Sequence, residues 1–126
     1  MGDTLKAPFV LEYTYKRSTG PVIGRFLTGL REGRIEGVCT PDGRVLVPPR
    51  EYDDDGSALG DLWADVSDEG VVDAWSKGWA LVRLDGSHSG FLHRLIGEAK
   101  TGDRVRIQWA ATRHGHITDI EGFVRV

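Results

Sequence analysis

The chain has 126 residues, enough to bury a core as one domain without disulfide or metal staples. At 40% hydrophobic, 28% charged and a net charge of -3, it has the composition of an ordinary folded protein and excludes a disordered one. Its acidic and basic residues are interspersed, which excludes the basic stripe that drives nucleic-acid binding, and its single cysteine excludes an internal disulfide. No apolar run approaches the ~20 residues that span a bilayer, and the N-terminus lacks a charged leader with an apolar stretch, so the expected location is cytoplasmic.

In chain order, residues 1–20 form an arm. Within it Val10, Glu12 and Thr14 alternate with Leu11, Tyr13 and Tyr15, the pattern of an extended segment with one apolar face. Residues 21–34 are predicted as an amphipathic helix. Ser18 and Thr19 offer caps, Pro21 suits the first helical position, and Gly33 suits the C-terminal end beside Arg31 and Arg34. Val22, Phe26 and Leu30 recur at i, i+4 and i+8, with Ile23 and Leu27 one step round. Such a face packs on its own domain or on a partner. Arm and helix together carry more apolar surface than a small barrel needs to cover, so Val22, Phe26, Leu27 and Leu30 are expected to contact a partner.

Residues 35–60 read as a hairpin: a strand to Val38, a turn at Pro41-Asp42-Gly43, a strand Arg44–Val47, then Pro48-Pro49. From Cys39 to Ser57 the frame is that of a zinc knuckle, a strand and a second knuckle, with one cysteine where a ribbon has two paired clusters of thiolates. Residues 61–126 change to short β-rich runs separated by Gly and Asp: LWADV, GVVDAWS, WALVRLDG, GFLHRLIG, RVRIQWAA and HITDIEGFVRV. Five or six strands without a convincing helix predict a Greek-key barrel of OB-fold size. The fold class is therefore mainly β, with an N-terminal helix, a degenerate zinc-ribbon hairpin and a C-terminal OB-fold barrel.

The order FLTGLREGRIEGVC, DGRVLVPPRE, VVDAWS, ALVRLDG, FLHRL and TGDRVRIQW resembles the acyl-CoA-associated OB-fold family known as domain of unknown function 35, over residues 20–125. That resemblance implies a helix, a rubredoxin-like zinc ribbon and an OB-fold, in a protein that accompanies thiolase-superfamily enzymes. Its arm and helix look most like the branch serving aldolases of steroid side-chain degradation, where the domain can be fused to a MaoC-like enoyl-CoA hydratase. Aligned to the family's ribbon, Cys39 falls at the first ligand position, Asp42 at the second, Asp53 at the third, and Gly56 or Asp55 at the fourth. One thiolate with two or three carboxylates is a poor zinc set, since hard oxygens favour Mg²⁺ or Ca²⁺, which reject sulfur. A metal-free remnant is expected, and Asp53-Asp54-Asp55 is read as a solvated loop.

Nothing else in the sequence makes a catalytic set. His114 and His116 flank Gly115 in a predicted turn, and His88 lies in another; His93, in a strand beside Arg94, is expected with Arg94 to contact a cleft or a partner. Ser87, Ser89 and Cys39 lack an activating neighbour. Trp63, Trp75, Trp79 and Trp109 are expected to pack in the core and at its rim, because stacking platforms for single strands come with a basic groove. The functional expectation is a non-catalytic accessory subunit or domain that completes a thiolase-fold aldolase acting on CoA thioesters. It would hold no cofactor of its own and contact neither nucleic acid nor membrane, and the CoA thioester would be bound by the complex. The alternatives are an OB-fold that binds single-stranded nucleic acid, an accessory subunit of an ordinary acyl-CoA thiolase, and a small stand-alone enzyme.

Overall fold

The structure is a computed structural model that describes residues 20–126, so the predicted arm, apart from Gly20, lies outside the described residues. Helix α1 (Pro21–Arg31) starts with Pro21 in its first turn, where the missing amide hydrogen costs nothing, and its N-cap is Gly20, without a side-chain bond. It ends three residues short of the predicted 34. Gly33 takes a positive φ of 75°, its N–H bonds to the Leu30 carbonyl, and the Arg34 N–H bonds back to the Gly29 carbonyl. This pair of bonds closes the helix by a Schellman turn.

The expected partner face of α1 is a correction. Val22 is 2% exposed, Phe26 2%, Leu27 7% and Leu30 0%, and the last three belong to the central core. Phe26 meets Phe91 edge-on at 6.3 Å, and Phe91 meets Phe123 at 5.9 Å in the same manner. The helix covers the barrel's apolar interior, so its own face is used up inside the chain. Arg25, on the opposite flank, forms a bidentate pair at 3.0 Å with Glu36 of the next strand and fixes the helix there.

After the helix come eight strands: β1 (Ile35–Cys39), β2 (Val45–Leu46), β3 (Trp63–Val66), β4 (Glu69–Ser76), β5 (Trp79–Leu84), β6 (Phe91–Arg94), β7 (Arg104–Trp109) and β8 (Ile120–Arg125). A three-stranded sheet runs β2-β1-β3, and a five-stranded sheet runs β6-β5-β4-β7-β8, all neighbours antiparallel. The run LWADV, predicted as the first barrel strand, is β3 and pairs with β1 from Ile35↔Val66 to Val38↔Trp63. The small sheet therefore reaches past residue 60. In HITDIEGFVRV a short 3-10 turn (Ile117–Asp119) precedes β8.

Alternation builds the barrel. Ala80, Val82 and Leu84 of β5 and Val105 and Ile107 of β7 point inward between exposed or half-buried neighbours. The ends of the sheet meet through a parallel bridge from Leu95 to Phe123 and a 2.9 Å bond from the Ile96 N–H to the Phe123 carbonyl. A Cβ at Gly122 would lie 2.8 Å from the Arg94 carbonyl, so the closure needs glycine there. One core cluster joins α1, Ile35, Val47 and Val66 of the small sheet with the barrel interior.

Candidate functional site

Both turns of the degenerate ribbon are formed. In the first, the Thr40 N–H bonds to the Arg44 carbonyl at 2.8 Å and the Gly43 N–H to the Thr40 carbonyl at 3.0 Å. In the second, the Asp53 N–H bonds to the Ser57 carbonyl and the Gly56 N–H to the Asp53 carbonyl, each at 2.9 Å, above a bridge between Tyr52 and Ala58. Between the turns lies the guanidinium of Arg44. Its Nε donates to Asp42 at 3.1 and 3.2 Å, and its Nη2 donates to Asp53 at 3.1 and 3.0 Å.

The Thr40 hydroxyl also donates to Asp42. That bond and Arg44 hold the Asp42 carboxyl below its ordinary range, while Asp53 and Asp42 raise the guanidinium further. Cys39 is half-buried as a free thiol opposite Val45. Among the described residues, no group of His, Cys, Asp and Glu converges as a metal-ligand set. The donors do not fit the zinc that the resemblance implies, because both carboxylates already face a cation of the chain itself.

The loop Asp85–Gly90 of the barrel is laid along the outer edge of β2. The His88 N–H bonds to the Val45 carbonyl at 2.7 Å, and His88 Nδ1 accepts the Val45 N–H at 3.0 Å. The Ser89 hydroxyl accepts the Val47 N–H at 2.8 Å and donates to the Val47 carbonyl at 2.9 Å. His88 and Ser89 thus serve as edge partners that the sequence reading missed. Nothing local signals this, since the bonded residues are 42 and 43 apart.

His93 and Arg94, expected to contact a cleft or a partner, fall on opposite sides of β6 by strand alternation, His93 half-buried and Arg94 exposed. The His93 ring lies edge-on to Phe91 at 5.9 Å and to Phe123 at 6.2 Å. Its Nδ1 accepts the Arg94 N–H at 2.7 Å, so the neutral ring carries its proton on Nε2 and donates to the Ile117 carbonyl at 3.3 Å. Burial pushes the His93 pKa below its ordinary value. Arg94 is exposed on the other side of β6, opposite Trp79.

The tryptophans also divide. Trp63 lies under the Arg25 guanidinium at 4.6 Å with its Nε1 bonded to the Gly60 carbonyl, and Trp109 packs against the core. Trp75 and Trp79, expected in core or rim, are 52% and 39% exposed, which corrects the expectation for those two. The strand pairing of β4 with β7 ends at Val71↔Arg104 while β4 runs on to Ser76, so the tip of the β4–β5 hairpin extends past β7 and is held on its other side by β6 and by the Leu95 N–H on the Gly78 carbonyl. Leu92, 60% exposed, sits on the outer face opposite Leu81, diagonal to Trp79.

The buried Asp119 was also missed. Its carboxylate accepts the backbone N–H groups of His114, Gly115 and His116 and ties down the loop before β8. His116 caps the 3-10 turn in a capping box with Asp119, and that i, i+3 spacing is the signal that could have found it.

Fold and site together define a mainly β protein in which a helix and a ribbon-like sheet are fused to a closed barrel, with His88, His93, His116, Ser87 and Ser89 engaged structurally. No family model and no curated protein matches the chain. Among solved structures, it is similar to a DUF35-family protein from Sulfolobus solfataricus, at 23% identity over 98% of both chains with a TM-score of 0.68. It is also similar to a chain of the Ltp2-ChsH2(DUF35) aldolase, at 15% identity over 86% of this chain and 97% of that one, with a TM-score of 0.60. The fold is that of these DUF35 proteins.

Proposed function

We propose that this chain is an accessory subunit or domain of a hetero-oligomeric aldolase, a member of the DUF35 family that completes a thiolase-fold partner. The observation that carries this reading is the likeness to a chain of the Ltp2-ChsH2(DUF35) aldolase over nearly all of that chain's length. In this reading the partner supplies the acid and base for retro-aldol cleavage of a β-hydroxyacyl-CoA, with a steroid side chain as the acyl group. The present chain contributes surface rather than catalytic groups. His93 has its ring nitrogens engaged by backbone, and Ser87 and Ser89 are bonded to each other's loop and to β2. Fusion to, or association with, a MaoC-like hydratase belongs to the same reading.

Since the apolar face of α1 is buried, the partner contact moves to the projecting hairpin, with Trp79, Leu92 and Arg94 on its outer face and Trp75, opposite Ala80, on the other side of its tip. Tryptophan and arginine are the side chains that most often anchor such interfaces. The same aromatic and basic pairing on a barrel favours a second reading, binding of single-stranded nucleic acid.

One experiment separates the two. The chain is co-expressed with a thiolase-like protein of its organism, as wild type and as the Trp75→Ala/Trp79→Ala pair, and co-elution, aldolase rate and oligonucleotide binding at ~150 mM salt are measured. The accessory reading expects the pair to lower co-elution and rate at least tenfold, about 1.4 kcal/mol, while the fold stays intact. A partner fully active alone, or a folded variant that binds like wild type, would overturn it. Salt-dependent micromolar binding of an oligonucleotide would transfer the surface to the second reading.

A further inference from the structure

We propose that Arg44 is the cross-link of the ribbon: its guanidinium bridges the two turns in place of the metal ion that the zinc-ribbon resemblance implies. The two carboxylates it joins stand at the second and third ligand positions, in separate turns, and are reached by different nitrogens of one planar group. A planar guanidinium can meet one carboxylate with Nε and another with Nη2, each through both oxygens, whereas an ammonium places all its donors on a single nitrogen and cannot span the two carboxylates in that way.

Asp53 is what makes the bridge matter. Its side chain is only 8% exposed, against 66% for Asp42, so its charge is largely withdrawn from water and depends on Arg44 and the Asp54 N–H. Arg50 adds a more distant contact at 3.9 Å and is itself engaged with Asp54 at 2.9 Å. The Thr40 hydroxyl, bonded to Asp42 and to the Arg44 N–H, orders the first turn to receive the bridge.

A divalent ion and Arg44 exclude one another here. Any cation drawn to Asp42 and Asp53 must displace a group already paired with both, and it would then find a single thiolate with hard oxygens. The ribbon keeps the shape of a metal site while its integrity depends on a side chain. It is therefore indifferent to chelators and metal supply, both of which threaten a thiolate ribbon.

The test uses the full chain without an affinity tag. Thermal unfolding is followed for wild type, Arg44→Met, Asp53→Asn and the double variant, with EDTA and with added zinc; Arg44→Lys serves as the mild variant should the others fail to fold. The bridge predicts that each single substitution lowers Tm by roughly 3–6 °C and that the double falls no further than the worse single. Arg44→Lys should retain only part of the Tm, and EDTA should move none of these curves. Amide exchange at residues 53–57 should speed up in every variant, locating the loss in the second turn. Stoichiometric zinc in the purified chain, unfolding by EDTA, additive single effects, or singles with wild-type Tm and exchange would each overturn the proposal.

Discussion

His93 shows how a residue type associated with acid–base chemistry becomes structural. Its ring is enclosed by Phe91 and Phe123, and the charge of the adjacent Arg94, although on the other side of β6, also opposes protonation. Both the lost solvation and the like charge depress its pKa. A histidine kept neutral in the fold but free to take a proton near pH 6.5 when unfolded makes stability fall as pH drops below that value. The loss continues down to the depressed folded pKa. Stability measured by urea unfolding between pH 7.5 and 5 should therefore decline for wild type and be flatter for His93→Asn. Equal slopes for the two would show that the decline belongs to other groups. Asp119 is the complementary case, a buried carboxylate satisfied by amides, which fixes the loop without taking part in chemistry.

Within elements, the helix shows an apolar pattern that spacing reveals and whose neighbour only the fold decides. The spacing of Val22, Phe26, Leu27 and Leu30 marks an amphipathic helix, and α1 is one. Whether that face meets its own barrel or a partner depends on where the barrel's open interior lies, which spacing does not encode. Because Phe26 and Leu30 are almost wholly enclosed, Phe26→Ala should cost about 3–5 kcal/mol and Leu30→Ala about 2–5 kcal/mol in the isolated chain. Chemical denaturation of the isolated chain checks this. Losses below ~1 kcal/mol would return the face to a partner. In the ribbon, both turns survive the loss of thiolates because their backbone bonds and the glycines Gly43 and Gly56 are intact.

For the molecule as a whole, helix, small sheet and barrel share one core, and the barrel loop at His88 and Ser89 is bonded along β2. Parts that share buried side chains and edge bonds lose them together, so unfolding should be a single cooperative transition. Tryptophan fluorescence, which includes Trp63 of the small sheet, and far-ultraviolet circular dichroism should give coincident midpoints. Two separated transitions would mean that the ribbon unfolds independently of the barrel. Among the described residues, the large hydrophobic side chains left exposed are Trp75, Trp79 and Leu92 on the barrel's projecting hairpin and outer face, and Tyr52, Leu62 and Val126 elsewhere. Among the described residues no helix is long and apolar enough to cross a membrane.

The amino-acid sequence by itself determined the local elements: an amphipathic helix opened by Pro21 and closed at Gly33, turns at Asp42-Gly43 and Asp85-Gly86, and alternating strands such as WALVRL. These are legible because backbone conformation and side-chain period are properties of neighbours in the chain. The tertiary structure decided which strand joined which sheet, sending Trp63–Val66 to β1, and which apolar faces were covered. It also brought Arg44 to Asp53, Arg25 to Glu36 and Ser89 to Val47, contacts between groups 9, 11 and 42 residues apart. No local signal marks such pairs, because their energy comes from desolvation and hydrogen-bond geometry that exist only once the sheets and the helix have packed.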